Sequence, residues 1–294
     1  MKKRMASLAA SLLAVLLLAS CAGTAPSPAK KTAAACPPKS FPLGTAKTPE
    51  GKTVVITVLA GDAKTSWNPR SAQDAQLQDN ARANLGTACR WITAQGKKWR
   101  RKASFVYDWK AHPDLAYAAR FSSDFTDENS DADPEVWRYI GKNIPTRALM
   151  KRYGASNAVF VLLVNTPPKN AVTSCTRNWY AGMESPYEIC YMLLREEGEE
   201  EPPAAYAHEI LHTFGAVDLY DTSDENLGAT KKFVRYIGKH DGNDIMYTVY
   251  NEKTGESEYD RISNRLTELD AYYIGWTDSC PLVKEWNLLP SQHG

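Results

Sequence analysis

Histidine is scarce in this 294-residue chain, which has five, at positions 112, 208, 212, 240 and 293. Neither sign of charge is in excess, because 35 Lys and Arg residues nearly balance 34 Asp and Glu residues. Such a balance gives neither a basic surface for nucleic acid nor a like-charge tail typical of disorder. The sequence also lacks internal repeats, a glycine-rich phosphate loop and a serine-nucleophile elbow. We therefore expect no nucleic-acid partner.

The N-terminal segment has the pattern of an export signal. Positive residues at 2–4 precede an apolar stretch at 8–19, which is too short to span a bilayer comfortably. The stretch ends in Leu-Ala-Ser followed by Cys21, which resembles the lipobox of bacterial lipoproteins. That resemblance implies a signal peptide at 1–20, lipidation of Cys21 and anchoring at the outer face of a bacterial membrane. The alternative is a plain secretory signal with a chance cysteine, and either way the chain is exported.

Export makes disulfides possible, and the cysteine count limits them. The chain has six cysteines, so removing Cys21 leaves an odd number and at least one that is free or pairs outside the chain. Cys175 and Cys190 flank a predicted hairpin and are the preferred pair. Cys36 could instead bind a metal, as in some proenzymes, but its segment is short for a prodomain, so a disulfide or free thiol is favoured.

Apolar patterns predict an α/β domain behind a flexible tether. The tether, residues 21–50, is rich in Ala, Pro, Thr, Ser and Lys and cannot bury a core. Strands and helices then alternate, which favours layers around a mixed sheet. The predicted strands are at 54–59, 105–107 and 159–164, and the arms of a predicted hairpin are at 177–181 and 187–193. The predicted helices are at 72–92, from N-cap Asp133 to about Pro145, in a short segment from there to Tyr153, from Pro202 through Phe214, and at 265–273.

The motif that carries chemistry is the run His-Glu-Ile-Leu-His at 208–212, inside a predicted helix. On a helix, His208 and His212 lie about 40° apart around the axis and project from one face. Two neutral imidazoles so placed can bind one Zn²⁺, and Glu209 can take a proton from a zinc-bound water. The alternative, two ordinary core or surface histidines, is disfavoured by the apolar helix and the export signal.

Residues that follow the motif extend it. Gly215 allows the helix to stop and the chain to turn at positive φ, so that Asp218 can return as a third ligand. The run His-Glu-Ile-Leu-His-Thr-Phe-Gly-Ala-Val-Asp resembles the extended signature of metzincin zinc peptidases, in the aspartate variant of the snapalysin-like branch. The segment 243–247 resembles the metzincin Met-turn, with Met246 packing beneath the metal.

The resemblance implies a site and a fold. The implied zinc ligands are His208, His212 and Asp218, with water in the fourth position and Glu209 as general base. The implied fold is a metzincin-like α/β (α+β) zincin with a mixed, mostly parallel sheet and an antiparallel edge strand along which substrate pairs. An upper catalytic subdomain at 51–218 and a smaller lower subdomain at 219–294 complete it. Trp179 and Tyr180, on the outer hairpin arm, are candidate substrate contacts, with ordinary strand packing as the alternative.

One feature departs from the family pattern, the residue that would bind the oxyanion, and another, the third metal ligand, has alternatives. Several metzincin groups place an oxyanion-binding tyrosine two residues past the methionine, but here that position is Thr248. Tyr247 is the candidate helper, with packing as the alternative. Asp218 is the preferred third ligand because its spacing matches the signature, and Asp221 and His240 are the alternatives.

An acidic loop gives a weaker metal signal. Residues 127–131 copy the start of an EF-hand loop, but Ala132 and Arg138 replace the required Gly and Glu, which rejects that motif. A less regular Ca²⁺ site, there or around Asp221, Asp224 and Glu225, stays open beside ordinary solvation.

Together these features predict a zinc-dependent metalloendopeptidase, monomeric and tethered by its lipid anchor. Zinc-bound water attacks a peptide carbonyl with Glu209 as general base, and the partner is a peptide or protein substrate. The alternatives are a catalytically silent zinc-binding surface lipoprotein, acting as adhesin or sensor, and a zinc hydrolase of a non-peptide bond.

Overall fold

A six-stranded sheet lies at the centre of the computed structural model, which describes residues 45–127, 131–177, 187–223 and 227–293. Its order is β2-β1-β4-β6-β5, and β3 also pairs with β1. All pairings are parallel except that of β5 with β6, so the predicted mixed, mostly parallel sheet is confirmed. The strands are β1 (Gly51–Gly61), β2 (Ala103–Val106), β3 (Ala116–Arg120), β4 (Asn157–Val164), β5 (Cys175–Arg177) and β6 (Ile189–Leu193).

The sheet separates two apolar layers. Every residue of β4 is buried, as its continuous apolar run predicts for a central parallel strand. Alternate side chains of β4 enter opposite cores: Val161 belongs to one and Leu162 to the other. The helices are α1 (Ala72–Lys98), α2 (Asp133–Asn143), α3 (Thr146–Tyr153), α4 (Pro203–Thr213), α5 (Lys231–His240), α6 (Glu268–Tyr273) and α7 (Pro281–Glu285), with a 3-10 turn at Pro113–Leu115 and a small hairpin of β7 (Arg195–Glu196) and β8 (Glu199–Glu200).

The two faces of the sheet carry different helices. Val136, Ile140 and Leu149 of α2 and α3 cover the face that includes Leu162. On the other face α1 packs against α4, which also contacts β5 and β6. The helix that contains the His-Glu-Ile-Leu-His motif is thus pressed against the antiparallel edge of the sheet. None of the helices in the described part of the chain is long and apolar enough to cross a membrane.

Several sequence-based predictions need correction in detail. The helix predicted to have Asp133 as its N-cap begins at that residue, and Ala132 takes the cap position without a side-chain hydrogen bond. The tail helix begins at Glu268 rather than at 265, after a capping box formed by Thr267 and Asp270. Elements without an apolar run were missed, among them β3, α5, α7 and the β7–β8 hairpin.

The predicted disulfide between Cys175 and Cys190 is not formed, and both are free thiols. In the antiparallel pair, Cys175 lies opposite Tyr191, while Cys190 lies opposite Thr176. Residues one register step apart point to opposite faces of a sheet, so the two sulfur atoms lie on different sides. The number of residues between two cysteines in a hairpin does not determine whether their side chains lie on the same face of the sheet.

Other predictions fall outside the described residues. These are the signal peptide, the tether as far as residue 44 with Cys21 and Cys36, the outer hairpin arm with Trp179 and Tyr180, and most of the acidic Ca²⁺ candidates, including Asp224 and Glu225. Residues 45–50 of the predicted tether are described and pack on the domain, since Ala46 is buried and its N–H donates to Glu188. All described residues belong to one compact unit, Pro37–Gly294. The division of that unit at residue 218 stays a prediction.

Candidate metal centre

Helix α4 presents both motif histidines from a buried segment. Pro202 lies at its N-cap position and Pro203 opens the first turn, where a missing N–H breaks no hydrogen bond. Ala207, Ile210 and Leu211 of the same helix belong to the hydrophobic core. The motif is therefore held by packing along the whole helix.

The helix ends at a turn that requires glycine. Gly215 has a φ of +102°, a conformation that L side chains rarely adopt. A Cβ atom there would lie 2.9 Å from the carbonyl oxygen of Tyr273 on α6. The Gly215 N–H donates to the His212 carbonyl and the Ala216 N–H to the Leu211 carbonyl, which closes the helix end. The turn redirects the chain so that the next residues pass back across the histidine face.

The C-terminal segment packs on this same turn. His293 Nε2 donates a hydrogen bond to the Phe214 carbonyl oxygen at 2.6 Å, and its Nδ1 lies 3.4 Å from the Thr48 hydroxyl. Burial lowers the pKa of His293, despite the carbonyl acceptor that favours its protonation. A neutral imidazole thus joins the two ends of the described chain at the end of α4.

Three ligand atoms converge where the chain returns. His208 Nε2 and His212 Nε2 lie 3.0 Å apart, and Asp218 Oδ1 lies 3.2 Å and 3.3 Å from them. In the described part of the chain, these three residues form the group that could hold a metal ion. The structure therefore brings together the three ligands implied by the sequence resemblance.

Backbone carbonyls orient both imidazoles. His208 Nδ1 lies 2.9 Å from the Ile245 carbonyl oxygen, and His212 Nδ1 lies 2.9 Å from that of Ala216. A carbonyl oxygen only accepts, so each Nδ1 carries a proton, and in the neutral form of each ring the lone pair of Nε2 lies at the centre of the group, where a cation would replace the Nε2 proton. In histidine metal sites, the ring nitrogen that does not bind the metal usually donates to such an acceptor, which fixes the orientation of the ring.

The carboxylate of Asp218 dominates the electrostatics. Burial would raise its pKa, but hydrogen bonds and charges of the two histidines hold it well below its usual range. Burial likewise opposes protonation of His212, yet the Asp218 hydrogen bond and charge raise its pKa to about 9. The ionised carboxylate therefore makes this position favourable for positive charge.

The segment at 244–248 closes the site from below. The Tyr247 and Thr248 N–H groups donate to the Asp244 carbonyl, while the Met246 N–H donates to the Asp244 carboxylate at 2.6 Å. Met246 is fully buried, and its carbonyl accepts from the Leu219 N–H at 3.0 Å. This turn supplies the Ile245 carbonyl to His208 and also fixes the residue after Asp218.

A buried carboxyl pair supports that turn. Burial raises the pKa values of Asp244 and Asp270, and the charge of Asp244 raises that of Asp270 further. Asp270 is the more strongly shifted, so it holds the proton and donates it to Asp244. Asp270 also caps α6 by accepting the Thr267 N–H at 3.0 Å, so the carboxyl pair connects the start of that helix to the turn beneath the site.

Glu209 lies beside the ligand group. Its side chain is 9% exposed, and its Oε1 lies 4.0 Å from His208 Nε2. Its other carboxylate oxygen accepts a 2.6 Å hydrogen bond from Thr176 of β5. One oxygen is thus anchored to the sheet, and the other faces the imidazoles.

Tyr220 is a site residue that the sequence reasoning missed. Its ring stacks on His208 with centroids 6.4 Å apart, and its hydroxyl hydrogen-bonds to Asp218. Burial and the Asp218 charge raise its pKa, so the phenol stays protonated. Tyr247, the tyrosine suggested by sequence, instead places its hydroxyl against Gly238 of α5. The signal that could have identified Tyr220 is its position two residues after a ligand.

The alternative third ligands lie elsewhere. The Asp221 carboxylate accepts hydrogen bonds from Thr222 and Ser223 in its own loop. The His240 ring packs on Tyr236 of α5 with centroids 4.5 Å apart. Asp218 is therefore the carboxylate that the structure places at the histidines.

Comparison with known proteins adds no assignment: no family model matches the chain, and no curated protein matches it.

The Gly215 turn gives a direct test of how the third ligand is placed. We expect Gly215→Ala to weaken metal binding by tenfold or more, because the new Cβ would push the turn away from Tyr273 and displace Asp218. Titration with Zn²⁺ against a competing chelator measures the affinity. Gly154→Ala is the matched control: this glycine also has positive φ, +59°, but nothing lies within 4 Å of its added Cβ. Both variants bear a backbone cost of about 1–2 kcal/mol. Equal metal affinity in the two variants would contradict the role of the turn.

Proposed function

We propose that this protein is a zinc-dependent metalloendopeptidase with a metzincin-like fold. The observation that carries the proposal is the convergence of two Nε2 atoms and one carboxylate oxygen within 3.0–3.3 Å, next to the anchored carboxylate of Glu209. Ligand group and base come from one short stretch, 208–218, and a glutamate adjacent to the first histidine is the arrangement that zinc-assisted hydrolysis needs.

The donor set supports zinc. Tetrahedral zinc with ligand bonds of about 2.0 to 2.1 Å places its ligand atoms about 3.3 Å from one another, close to the three separations observed. Three protein ligands leave a fourth position open, as in catalytic rather than structural zinc sites. Bound there, the ion would supply Lewis-acid chemistry, lowering the pKa of a water molecule and polarising a carbonyl group.

The protein's own groups would move the proton and stabilise charge. Glu209 accepts a proton from the attacking water through the carboxylate oxygen that faces His208, and delivers it to the leaving amine. Tyr220, a protonated phenol beside Asp218, donates a hydrogen bond to the oxygen on which negative charge develops. Asp218, His208 and His212 hold their positions throughout, since each is anchored by the contacts described above.

The edge strand supports a peptide as substrate. Among the described residues β5 is the last strand of the sheet, and it packs directly against α4, so an extended peptide could pair with its outer edge and lie across the ligand group. Backbone pairing recognises a peptide chain irrespective of its side chains. The substrate class we propose is therefore an unstructured peptide or protein segment, cleaved by a monomer that is exported and anchored to the bacterial membrane through Cys21.

Removing the base and removing a ligand should have different effects. We expect Glu209→Ala to retain zinc and lose peptidase activity by about 100- to 10,000-fold, since only proton transfer is lost. We expect His212→Ala to lose both zinc and activity. Elemental analysis measures the metal, and cleavage of unstructured casein, with and without a chelator, measures activity.

The control for these variants is Glu256→Ala, which removes an exposed glutamate and should change neither quantity. Undiminished casein cleavage by Glu209→Ala would exclude the mechanism. Zinc binding without any peptidase activity in the native protein would favour a silent binding protein, and cleavage of esters alone would favour a different hydrolase.

We propose Tyr220 rather than Tyr247 as the oxyanion helper, which gives a further prediction. We expect Tyr220→Phe to lower kcat by about 10- to 100-fold, because one donor to the developing charge is lost. Zinc content should be unchanged, since the phenol is not among the three ligands. Tyr250→Phe is the control, because Tyr250 is 50% exposed and Tyr220 52%. Equal rates for the two variants would reject the assignment.

A further inference from the structure

Thr176 connects the edge strand to the general base. It lies in β5 directly opposite Cys190 of β6, and both side chains of this pair point towards α4. Thr176 Oγ1 lies 2.6 Å from Glu209 Oε2 and 2.9 Å from the Glu209 carbonyl oxygen. Cys190 Sγ lies 3.4 Å from that same carbonyl oxygen. One cross-strand pair therefore contacts both the backbone and the carboxylate of a single residue.

The hydroxyl of Thr176 has one proton and two oxygens within reach. The carboxylate oxygen is the nearer of the two to Thr176 Oγ1, and a hydrogen bond to an ionised acceptor is shorter and stronger than one to a neutral carbonyl. The thiol of Cys190, a weak donor, reaches the Glu209 carbonyl oxygen. The proton of Thr176 thus belongs to Glu209 Oε2.

This bond fixes the orientation of the Glu209 carboxylate, so that one of its oxygens contacts the sheet and the other faces the ligand group. A glutamate side chain has three rotatable bonds, and fixing them costs conformational entropy. Anchoring Oε2 to the sheet leaves Oε1 at 4.0 Å from His208 Nε2, on the side where water would bind. The entropy is then lost on folding rather than during each catalytic cycle.

We propose that Thr176 is a positioning residue for Glu209: its hydroxyl holds one carboxylate oxygen so that the other is aimed at the metal-side water. Thr176 touches neither substrate nor metal in this role and acts through Glu209 alone. The inference rests on the proposed function for its catalytic meaning, whereas the contact itself is independent of it.

Two substitutions separate the hydroxyl from the shape of the side chain. Thr176→Val keeps the β-branched shape and removes the donor, and Thr176→Ser keeps the donor. In the full-length, zinc-loaded protein, we expect Thr176→Val to lower kcat about 10- to 100-fold with KM changed less than about twofold. Thr176→Ser should recover kcat to within about threefold of the native value.

Thr57→Val is the matched control. Thr57 is a fully buried threonine of β1, and among the described residues its hydroxyl has no hydrogen-bond partner. The same chemical change in the same sheet should leave kcat and KM unaltered. A comparable loss in Thr57→Val would mean that the Thr176→Val result reflects general disturbance of the sheet, and would overturn the proposal.

A double-mutant cycle tests whether Thr176 acts through Glu209. In metal-free protein, we expect Thr176→Val to lower Tm by about 3–8 °C, and to lower it far less when Glu209→Ala is already present. Likewise, Thr176→Val should not reduce the residual peptidase activity of Glu209→Ala further.

Failure of the proposed function can be distinguished from failure of the positioning role. If the native protein cleaves no peptide, the proposed function fails, while the unfolding cycle still decides the Thr176–Glu209 contact. If the native protein is active and Thr176→Val matches it in kcat, or if the Tm losses are equal in both backgrounds, the positioning role is wrong.

Discussion

The left-handed turn at Gly215 is the constraint on which the candidate centre depends. A helix can align two histidines, but its own geometry cannot bring a third residue of the same chain back to their face. The turn does so within six residues of His212, and it is possible only because the carbonyl of Tyr273 meets a residue without a Cβ. His293 then covers the same turn from outside. The C-terminal segment thus helps to hold the three candidate ligands together without supplying one of them.

Buried carbonyls and carboxyls, rather than apolar contacts, fix the orientation of the site. The Ile245 and Ala216 carbonyls select the imidazole tautomers, Thr176 selects the carboxylate oxygen of Glu209, and the Asp244–Asp270 pair braces the turn beneath. Each buried polar group would be costly if unpaired, so the alternatives to this arrangement are few. The same requirement explains why two acidic residues lie together in the core: one of them keeps its proton and acts as a donor.

The sequence predicted what depends on neighbours along the chain. The apolar run of β4 and the spacing of His208 and His212 identify a buried strand and a shared helix face, because both follow from local periodicity. Contacts made across the fold were not accessible in this way. Thr176 and Glu209 are 33 residues apart and meet only when β5 packs on α4. The disulfide expectation was wrong for a related reason, because the face of each cysteine depends on the hairpin register. Tyr220 was missed since the family pattern directed attention to the segment after Met246, where the tyrosine present packs on α5.

The site is rigid on one side and open on the other. His208, His212 and Glu209 are held by the helix, the sheet and the turn, so their geometry is set before any substrate arrives. Tyr220 instead lies at the rim with 52% of the residue exposed, although its hydroxyl reaches Asp218. Preorganised groups suit the steps that need fixed distances, namely metal binding and proton transfer. In the proposed reaction, the hydroxyl of an exposed tyrosine could exchange Asp218 for the substrate oxygen once negative charge develops there, because rotation of an exposed side chain requires no repacking of the core. The proposed mechanism would therefore place its base, Glu209, on a buried helix and its oxyanion donor, Tyr220, on the loop that follows the candidate third ligand.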